Sequence, residues 1–510
     1  MNTEDTTRGA VFVLPDGGAL GGVTSWAVIT MQALSAGGWR TAVVGPGVGQ
    51  KRWPPGVLTL DAGPTLGSLR DGIGHAVSQL HDASPGGLVV LPQLSGIAYA
   101  AASSALDATR QPNQAIVGWV HANIRHDIEL IRRFAPCLAR IVCVSRAAEQ
   151  ALVDAGVSAP GSIAVIPTGT DLAGDDRASR APTVGPLRML YVGRLDAFQK
   201  RVLSLPRILE RLRNKRCGAT LSIVGDGPAR DQLDSTIEQL GVQHATQMHG
   251  ARPRSDLPAF YRSHDLLLQP SRSEGLGIAR IEAALHGCVP VVTPGGSSEG
   301  LRDGVDGIVV AVDPEEDDQA AAEGFAEAIA ARSRSELCAM SPRAARNARE
   351  AFSFDRYADR VRSGLGAATS TDHNRRAWSA VARDPERAAA FTVPDDLEAR
   401  IACVLPLLPD HAIALHGAGA HTRAAWPTMM RMGVRVGLIA DDDAERWGGS
   451  MLGVPVVRPE DVPPDAGTVL ISSWLHEDAV WSRRSVYERI GLRVVRLYGP
   501  ARAGTEEAIG

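Results

Sequence analysis

Short apolar runs recur along the chain, each followed by a turn rich in glycine or proline and then by a segment whose apolar residues are spaced for one face of a helix. The first run, residues 10–14 (AVFVL), ends in a glycine-rich turn over 15–22; residues 23–36 then have helical spacing and 41–45 are apolar again. This order of strand, turn, helix and strand predicts the opening of a doubly wound parallel sheet. Further strands are predicted at 88–91, 115–120, 140–144 and 162–166, all too continuously apolar for exposed edges. A first domain over 1–171 follows.

Residues 172–186 (LAGDDRASRAPTVGP) have no periodic apolar face and read as a linker. A second alternation then predicts strands at 187–192, 219–224, 247–249, 265–269, 289–292 and 307–310, with helices over 202–213, 229–240 and 278–286 between them. It defines a domain over 187–351. A helical stretch covers 354–365, and the pattern breaks at 366–376 (GAATSTDHNRR). A third unit over 377–510 is expected, with strands at 412–416, 434–440, 468–472 and 493–497. The fold class is therefore α/β, with three Rossmann-like units.

Composition narrows the function classes. Across 510 residues, 53 Lys and Arg stand against 57 Asp and Glu, and no dense basic stripe is present, which argues against a nucleic-acid binder. Six scattered cysteines without a C-x-x-C read as buried thiols of a reducing compartment rather than a disulfide framework or zinc site. The first residues lack a signal pattern and no apolar run reaches the length of a membrane helix, so the expected location is the cytoplasm. The only lysines are Lys51, Lys200 and Lys215. A lysine near a possible phosphate position therefore runs against the composition.

Two segments carry chemistry. In Ser273-Glu274-Gly275-Leu276-Gly277-Ile278-Ala279-Arg280-Ile281-Glu282, two carboxylates flank glycines at a strand-to-helix junction. The glycines let the backbone approach a ligand, the helix amides offer an anion site, and carboxylates there would accept hydrogen bonds from sugar hydroxyls. Ordinary surface charges beside a glycine turn would give the same spacing. In Tyr191-Val192-Gly193-Arg194 through Lys200-Arg201, cations precede a helix, where they oppose its dipole unless a diphosphate binds. A solvated basic loop is the competing reading.

With both segments in view, residues 10 to about 365 resemble the family 4 glycosyltransferases, sugar-nucleotide-dependent enzymes with the GT-B fold. The resemblance rests on motifs in order: Gly21-Gly22-Val23, His121, Val144-Ser145, Ile166-Pro167-Thr168-Gly169-Thr170-Asp171, Gly193-Arg194 with Lys200, Gly225-Asp226-Gly227-Pro228, and Glu274 with Glu282. It implies two Rossmann-like domains facing a cleft, with 352–366 packing back on the first. It also implies that Arg194 and Lys200 neutralise a donor diphosphate, that Glu282 binds the ribose, and that Glu274 with Gly275, Leu276 and Gly277 holds the donor sugar. Gly22 would lie against the phosphates and His121 would reach the transferred sugar. The chain departs from the family at Thr168, where Asn is usual, and at Arg201, where Gly is usual and where Arg is expected to add a cation beside the phosphate site.

The expected activity is glycosyl transfer from a nucleoside diphosphate sugar to an acceptor hydroxyl, with retention by resemblance and without metal, since no Asp-x-Asp sits at a strand end in the first two domains. No cofactor is expected beyond the donor. The base, sugar and acceptor, whether small molecule, glycan or lipid, stay open. Arg125, His126, Arg132, Arg133 and Arg140 fit either an anionic acceptor or weak membrane contact, or a solvated helix. In the third unit, Gly417-x-Gly419 lacks a third glycine and Asp441, Asp442 and Asp443 follow at a later strand end, which leaves a bound dinucleotide and a bare scaffold both open. Two alternatives to transfer remain: a catalytically silent sugar-nucleotide-binding subunit, and a nicotinamide-dependent oxidoreductase acting through the third unit.

Overall fold

A computed structural model describes residues 7–17, 21–157, 163–170, 185–215, 217–312, 318–389, 397–443, 446–473 and 477–498. Asp171, residues 18–20 of the first glycine turn and nearly all of the linker over 172–186 lie outside these residues. The chain forms two compact units, residues 1–389 and 390–510.

The first unit holds two parallel sheets. One contains β1 (Gly9–Val13), β2 (Arg40–Gly45), β3 (Leu58–Asp61), β4 (Leu88–Pro92), β5 (Gln114–Val120), β6 (Arg140–Cys143) and β7 (Ile163–Val165), in the order β3-β2-β1-β4-β5-β6-β7. Every residue of β1, β4 and β5 is buried, as strands covered on both faces by helices require. Pairing registers such as Phe12 with Val43 on one side and Leu91 on the other align the strand ends, so the following loops gather at one edge. The second sheet contains β8 (Leu187–Val192), β9 (Ala219–Val224), β10 (Thr246–Gly250), β11 (Leu266–Gln269), β12 (Val289–Val292) and β13 (Ile308–Val309), in the order β10-β9-β8-β11-β12-β13. Strand order reverses direction between β1 and β4 and between β8 and β11. In doubly wound sheets, ligands bind at the carboxyl ends beside such a reversal.

The helix Phe354–Gly366 packs on the helix Gly22–Ser35, where the Tyr357 and Thr30 hydroxyls lie 2.6 Å apart. Its Tyr357, Val361 and Leu365 join Trp26 and Phe12 in one apolar cluster. The chain crosses between lobes twice, at Thr170 and Ser353, and these two crossings pair as a parallel bridge.

The helix Asp372–Arg383 also belongs to the first unit. Trp378 is 2% exposed and donates its indole N–H to the Cys137 carbonyl at 2.8 Å, while the Asn374 amide donates to the carbonyls of Pro136 and Leu138. The third unit therefore begins after Ala389 and not at 377 as the sequence break suggests. Thr371 and Asn374 form a capping box that starts this helix inside the stretch read as a break.

The second unit is built on β14 (Ile413–His416), β15 (Val436–Ala440), β16 (Ser450–Met451), β17 (Val454–Val457), β18 (Thr468–Ile471) and β19 (Arg493–Arg496), in the order β16-β17-β15-β14-β18-β19. It has apolar clusters of its own. After β14, the Ala418 amide donates to the Asp441 carboxylate, which also pairs with Arg446. The carboxylate that a dinucleotide reading would assign to a ribose thus braces the glycine turn instead.

Of the cysteines, Cys137, Cys143 and Cys288 are buried as expected, whereas Cys403 is exposed. Among the described residues, no helix is long and apolar enough to cross a membrane.

Candidate functional site

The sequence-predicted residues fall on the loops that leave β1, β5, β8 and β11. After β1, Gly22 opens the helix Gly22–Ser35, whose first turn has neither a side-chain cap nor an acidic residue. A side chain built on Gly22 would meet nothing within 4 Å, so this turn faces open space. After β5, the His121 ring packs edge-on against Trp26, with centroids 4.6 Å apart, and its Nε2 lies 2.6 Å from Gln93 Oε1. Burial pushes the His121 imidazole down to about 4, with the Asp127 carboxylate acting weakly in the opposite direction. His121 is therefore neutral at physiological pH.

On the second lobe, Lys200 Nζ reaches Glu274 Oε1 at 2.7 Å. The same oxygen accepts from Gln269 Nε2 at 2.8 Å and from the Ser271 hydroxyl at 2.9 Å. Oε2 has no donor among the described residues. Burial alone would raise the Glu274 pKa, but the charge and hydrogen bond of Lys200, with the bonds from Gln269 and Ser271, hold it below the ordinary value. The result is a carboxylate with one oxygen saturated by protein and the other available to a donor such as a hydroxyl.

Glu282 is 3% exposed, on the helix Ile278–Leu285. Arg254 Nε donates to its Oε1 at 2.8 Å and the Tyr261 hydroxyl to its Oε2 at 3.0 Å. Arg254 also reaches the Thr170 hydroxyl at the lobe crossing, 3.4 Å away. Arg194 stands apart from this set; its side chain is 66% exposed and 4.0 Å from Asp196, free to swing toward an anion. Arg201 departs from expectation. It is fully buried and does not stand in the open as an extra cation. Its φ of 48° is left-handed, which supplies the physical reason for the glycine usual in the family.

The three residues of the Gly275–Gly277 turn serve different ends. A side chain on Gly275 would begin 1.5 Å from the His121 carbonyl oxygen, so the close approach this glycine permits is to the opposite lobe. Leu276 is buried in the apolar cluster shared with the helix that follows it, leaving only its main chain for a ligand. Gly277 caps the helix with φ 70°, and a side chain there would strike Gln269.

Lys200, Glu274, Gly275 and His121 thus converge at one place, with Gly22 opening the helix after β1 whose Trp26 packs on His121, and Glu282 on the helix after the turn. Sequence reading missed Gln93, Gln269, Ser271, Arg254 and Tyr261. Gln269 and Ser271 lie within five residues of Glu274, a signal present but not used; Arg254 is one arginine among many, and its partner is 28 positions away. Of the basic stretch, Arg132 pairs with Glu129, and Arg133 and Arg140 donate to the carbonyls of Arg387 and Gly364. No group of three or more potential metal ligands occurs among the described residues.

A family model described as Glycosyl transferases group 1 matches residues 186–331, the lobe that carries Arg194, Lys200, Glu274 and Glu282. This stretch is similar to the group 1 glycosyl transferases, and the match covers less than a third of the chain. Among curated relatives, a glycogen synthase of Mycobacterium tuberculosis is 35% identical over 187 residues, which is 34% of this chain and 45% of that protein. A D-inositol 3-phosphate glycosyltransferase of Segniliparus rotundus is 34% identical over 164 residues, covering 30% of this chain and 36% of the relative. The chain thus spans less than half the length of these relatives. Sucrose-phosphate synthase from Thermosynechococcus elongatus superposes with TM-score 0.57 at 16% identity, over 71% of this chain and 100% of that one. HepE from Anabaena, solved with UDP-glucose, superposes with TM-score 0.54 at 20% identity, over 70% and 99%. At these identities the likeness is one of fold, and that fold is GT-B, followed here by a third, mostly parallel sheet.

Proposed function

We propose that this group 1 glycosyltransferase moves a sugar from a nucleoside diphosphate donor to an acceptor hydroxyl at the junction of its two lobes. The observation that carries the reading is Glu274, whose Oε1 is saturated by Lys200, Gln269 and Ser271 while Oε2 has no donor among the described residues, directly before a glycine turn and helix N-terminus. That geometry suits a sugar whose hydroxyls donate to Oε2 and whose diphosphate lies over the helix amides and Lys200.

As the bond to the leaving diphosphate breaks, negative charge grows on its oxygens. Lys200, the exposed Arg194 and the amides at residues 278–279 stabilise that charge more than they stabilise the ground state. Glu282, held by Arg254 and Tyr261, is placed to accept from ribose hydroxyls. These cations do the work of a divalent ion, and the leaving phosphate draws off the acceptor proton on the same face, with retention. The intact Lys200–Glu274 pair weighs against a silent subunit. HepE, solved with UDP-glucose, supports a uridine donor as the first to test.

The deciding experiment is a thermal-shift and calorimetric screen with UDP, GDP, ADP and their glucose and mannose conjugates, followed by donor hydrolysis. Selective stabilisation by one nucleoside diphosphate and slow hydrolysis of its sugar are expected. No binding of any nucleoside diphosphate would refute the proposal.

A further inference from the structure

We propose that Gln93 is the positioning residue for His121, holding the imidazole as its Nε2–H tautomer so that Nδ1 offers a lone pair to a hydroxyl of the donor sugar. The proposal rests on the glycosyl-transfer reading above.

Gln93 follows β4, beside the strand reversal of the first sheet, and its backbone N–H is tied to the Val13 carbonyl at the end of β1. Its side chain is 1% exposed. The orientation of its amide is set by chemistry, because Gln93 Nε2 donates to the Leu91 carbonyl, which can only accept, at 3.1 Å. The atom facing His121 is therefore Oε1, an acceptor. At 2.6 Å it requires a proton on His121 Nε2. In a neutral imidazole the other nitrogen, Nδ1, must then be a lone-pair acceptor, and it has no partner among the described residues. Trp26 packs edge-on against the ring, so its plane is held as well as its tautomer.

The surroundings keep this imidazole uncharged. The helix Gly22–Ser35 brings no charged residue to it, and Gln93 brings a neutral acceptor. From the helix Arg125–Phe134, the Asp127 carboxylate favours the cation, but Asp127 is occupied by the Ala122 amide and His126, with Arg125 on the same turn. From the opposite lobe, Glu274 is neutralised by Lys200. A neutral acceptor at this point complements the Glu274 Oε2 acceptor across the junction. Together they would read a sugar by its hydroxyl donors from two sides.

The test uses the full chain with ¹⁵N-histidine, UDP and UDP-glucose as probes, and the variants Gln93→Glu and Gln93→Leu. Long-range ¹H–¹⁵N spectra of the wild type should show His121 as the Nε2–H tautomer, and its Nδ1 resonance should shift with UDP-glucose but not with UDP. Gln93→Leu should weaken UDP-glucose binding by about tenfold, the worth of one neutral hydrogen bond, and leave UDP affinity unchanged. Gln93→Glu places a carboxylate on Nε2–H and should raise the His121 pKa above that of the wild type, moving the acid limb of UDP-glucose binding to higher pH. An Nδ1–H tautomer in the wild type, or equal losses of UDP and UDP-glucose in Gln93→Leu, would overturn the assignment. Failure of the wild type to bind either probe, or any other nucleoside diphosphate sugar, would overturn the glycosyl-transfer reading and the hydroxyl part of this proposal, while the ligand-free tautomer still judges Gln93.

Discussion

The His121 carbonyl oxygen lies 1.5 Å from the point where a side chain at residue 275 would begin. The lobes meet backbone to backbone at Gly275, between the histidine of one and the Lys200–Glu274 pair of the other. Gly275→Ala should therefore hold the lobes apart while leaving each folded. We expect kcat/KM for transfer to fall by about 100-fold, the cost of a displacement near 1 Å at the reacting groups, with UDP affinity largely kept. Steady-state kinetics with calorimetry checks this; wild-type transfer by the alanine variant would show that lobe contact is dispensable.

Removing Lys200 strands a buried carboxylate. Lys200→Met should destabilise the protein by about 3 kcal/mol, and adding Glu274→Gln should recover much of the stability and none of the activity. Because the folded pKa of Glu274 is held below 4.5, its contribution to stability is complete above that value and lost as pH falls through the folded pKa. Urea titrations should accordingly show a shallower acid loss in Glu274→Gln. Full activity in the double variant would contradict the diphosphate role of Lys200.

Glu274 and Glu282 should separate by ligand. Glu282→Gln is expected to weaken UDP binding by about tenfold through the ribose contacts proposed for it. Glu274→Gln should leave UDP binding close to normal while depressing turnover of the sugar conjugate. Calorimetry with the bare nucleotide distinguishes them, and equal losses in both variants would contradict this division.

Transfer should persist at full rate in excess EDTA if, as proposed, Arg194 and Lys200 supply the positive charge at the leaving group. Abolition by EDTA with rescue by magnesium or manganese is the contrary result.

Truncation after Ala389 should keep nucleotide binding, because every donor-site residue named lies in the first unit. Truncation at residue 370 should behave differently. It removes Trp378 and Asn374 from their sockets at residues 136–138 and should cost about 3 kcal/mol or more of stability. Thermal denaturation of the two shortened chains makes the comparison, and equal melting temperatures would show that the helix Asp372–Arg383 is dispensable.

What the sequence disclosed follows from locality. The spacing predicts β8, β9 and β12 at their observed bounds because each is a largely buried run between turn residues. The edge strand β3 alternates half-buried and exposed positions and β16 is two residues long, so neither stands out from a loop; β17 carries the same four residues as β12 (VPVV) but is only partly buried. Lys200 and Glu274 were marked by glycines and by a rare residue type, although their contact spans 74 positions. Gln93 and Arg254 had no local mark; only the strand order brings the ends of β1, β4 and β5 together, and only the folded lobe brings Arg254 to Glu282. The glycine preference at position 201 likewise reflects a backbone angle rather than a ligand.

Tyr357, Val361, Leu365 and Trp378 lie in the cores of the first lobe yet are encoded after the whole of the second. On a ribosome the lobe that emerges first must wait for about 200 further residues before its cores can close, roughly 10 to 40 s at ordinary elongation rates. During that interval the second lobe can finish folding, while the first displays the apolar surface of Trp26 and Phe12 to the cell's chaperones. Slowing translation between residues 170 and 378 should then lower the yield of native protein more than slowing it after 389.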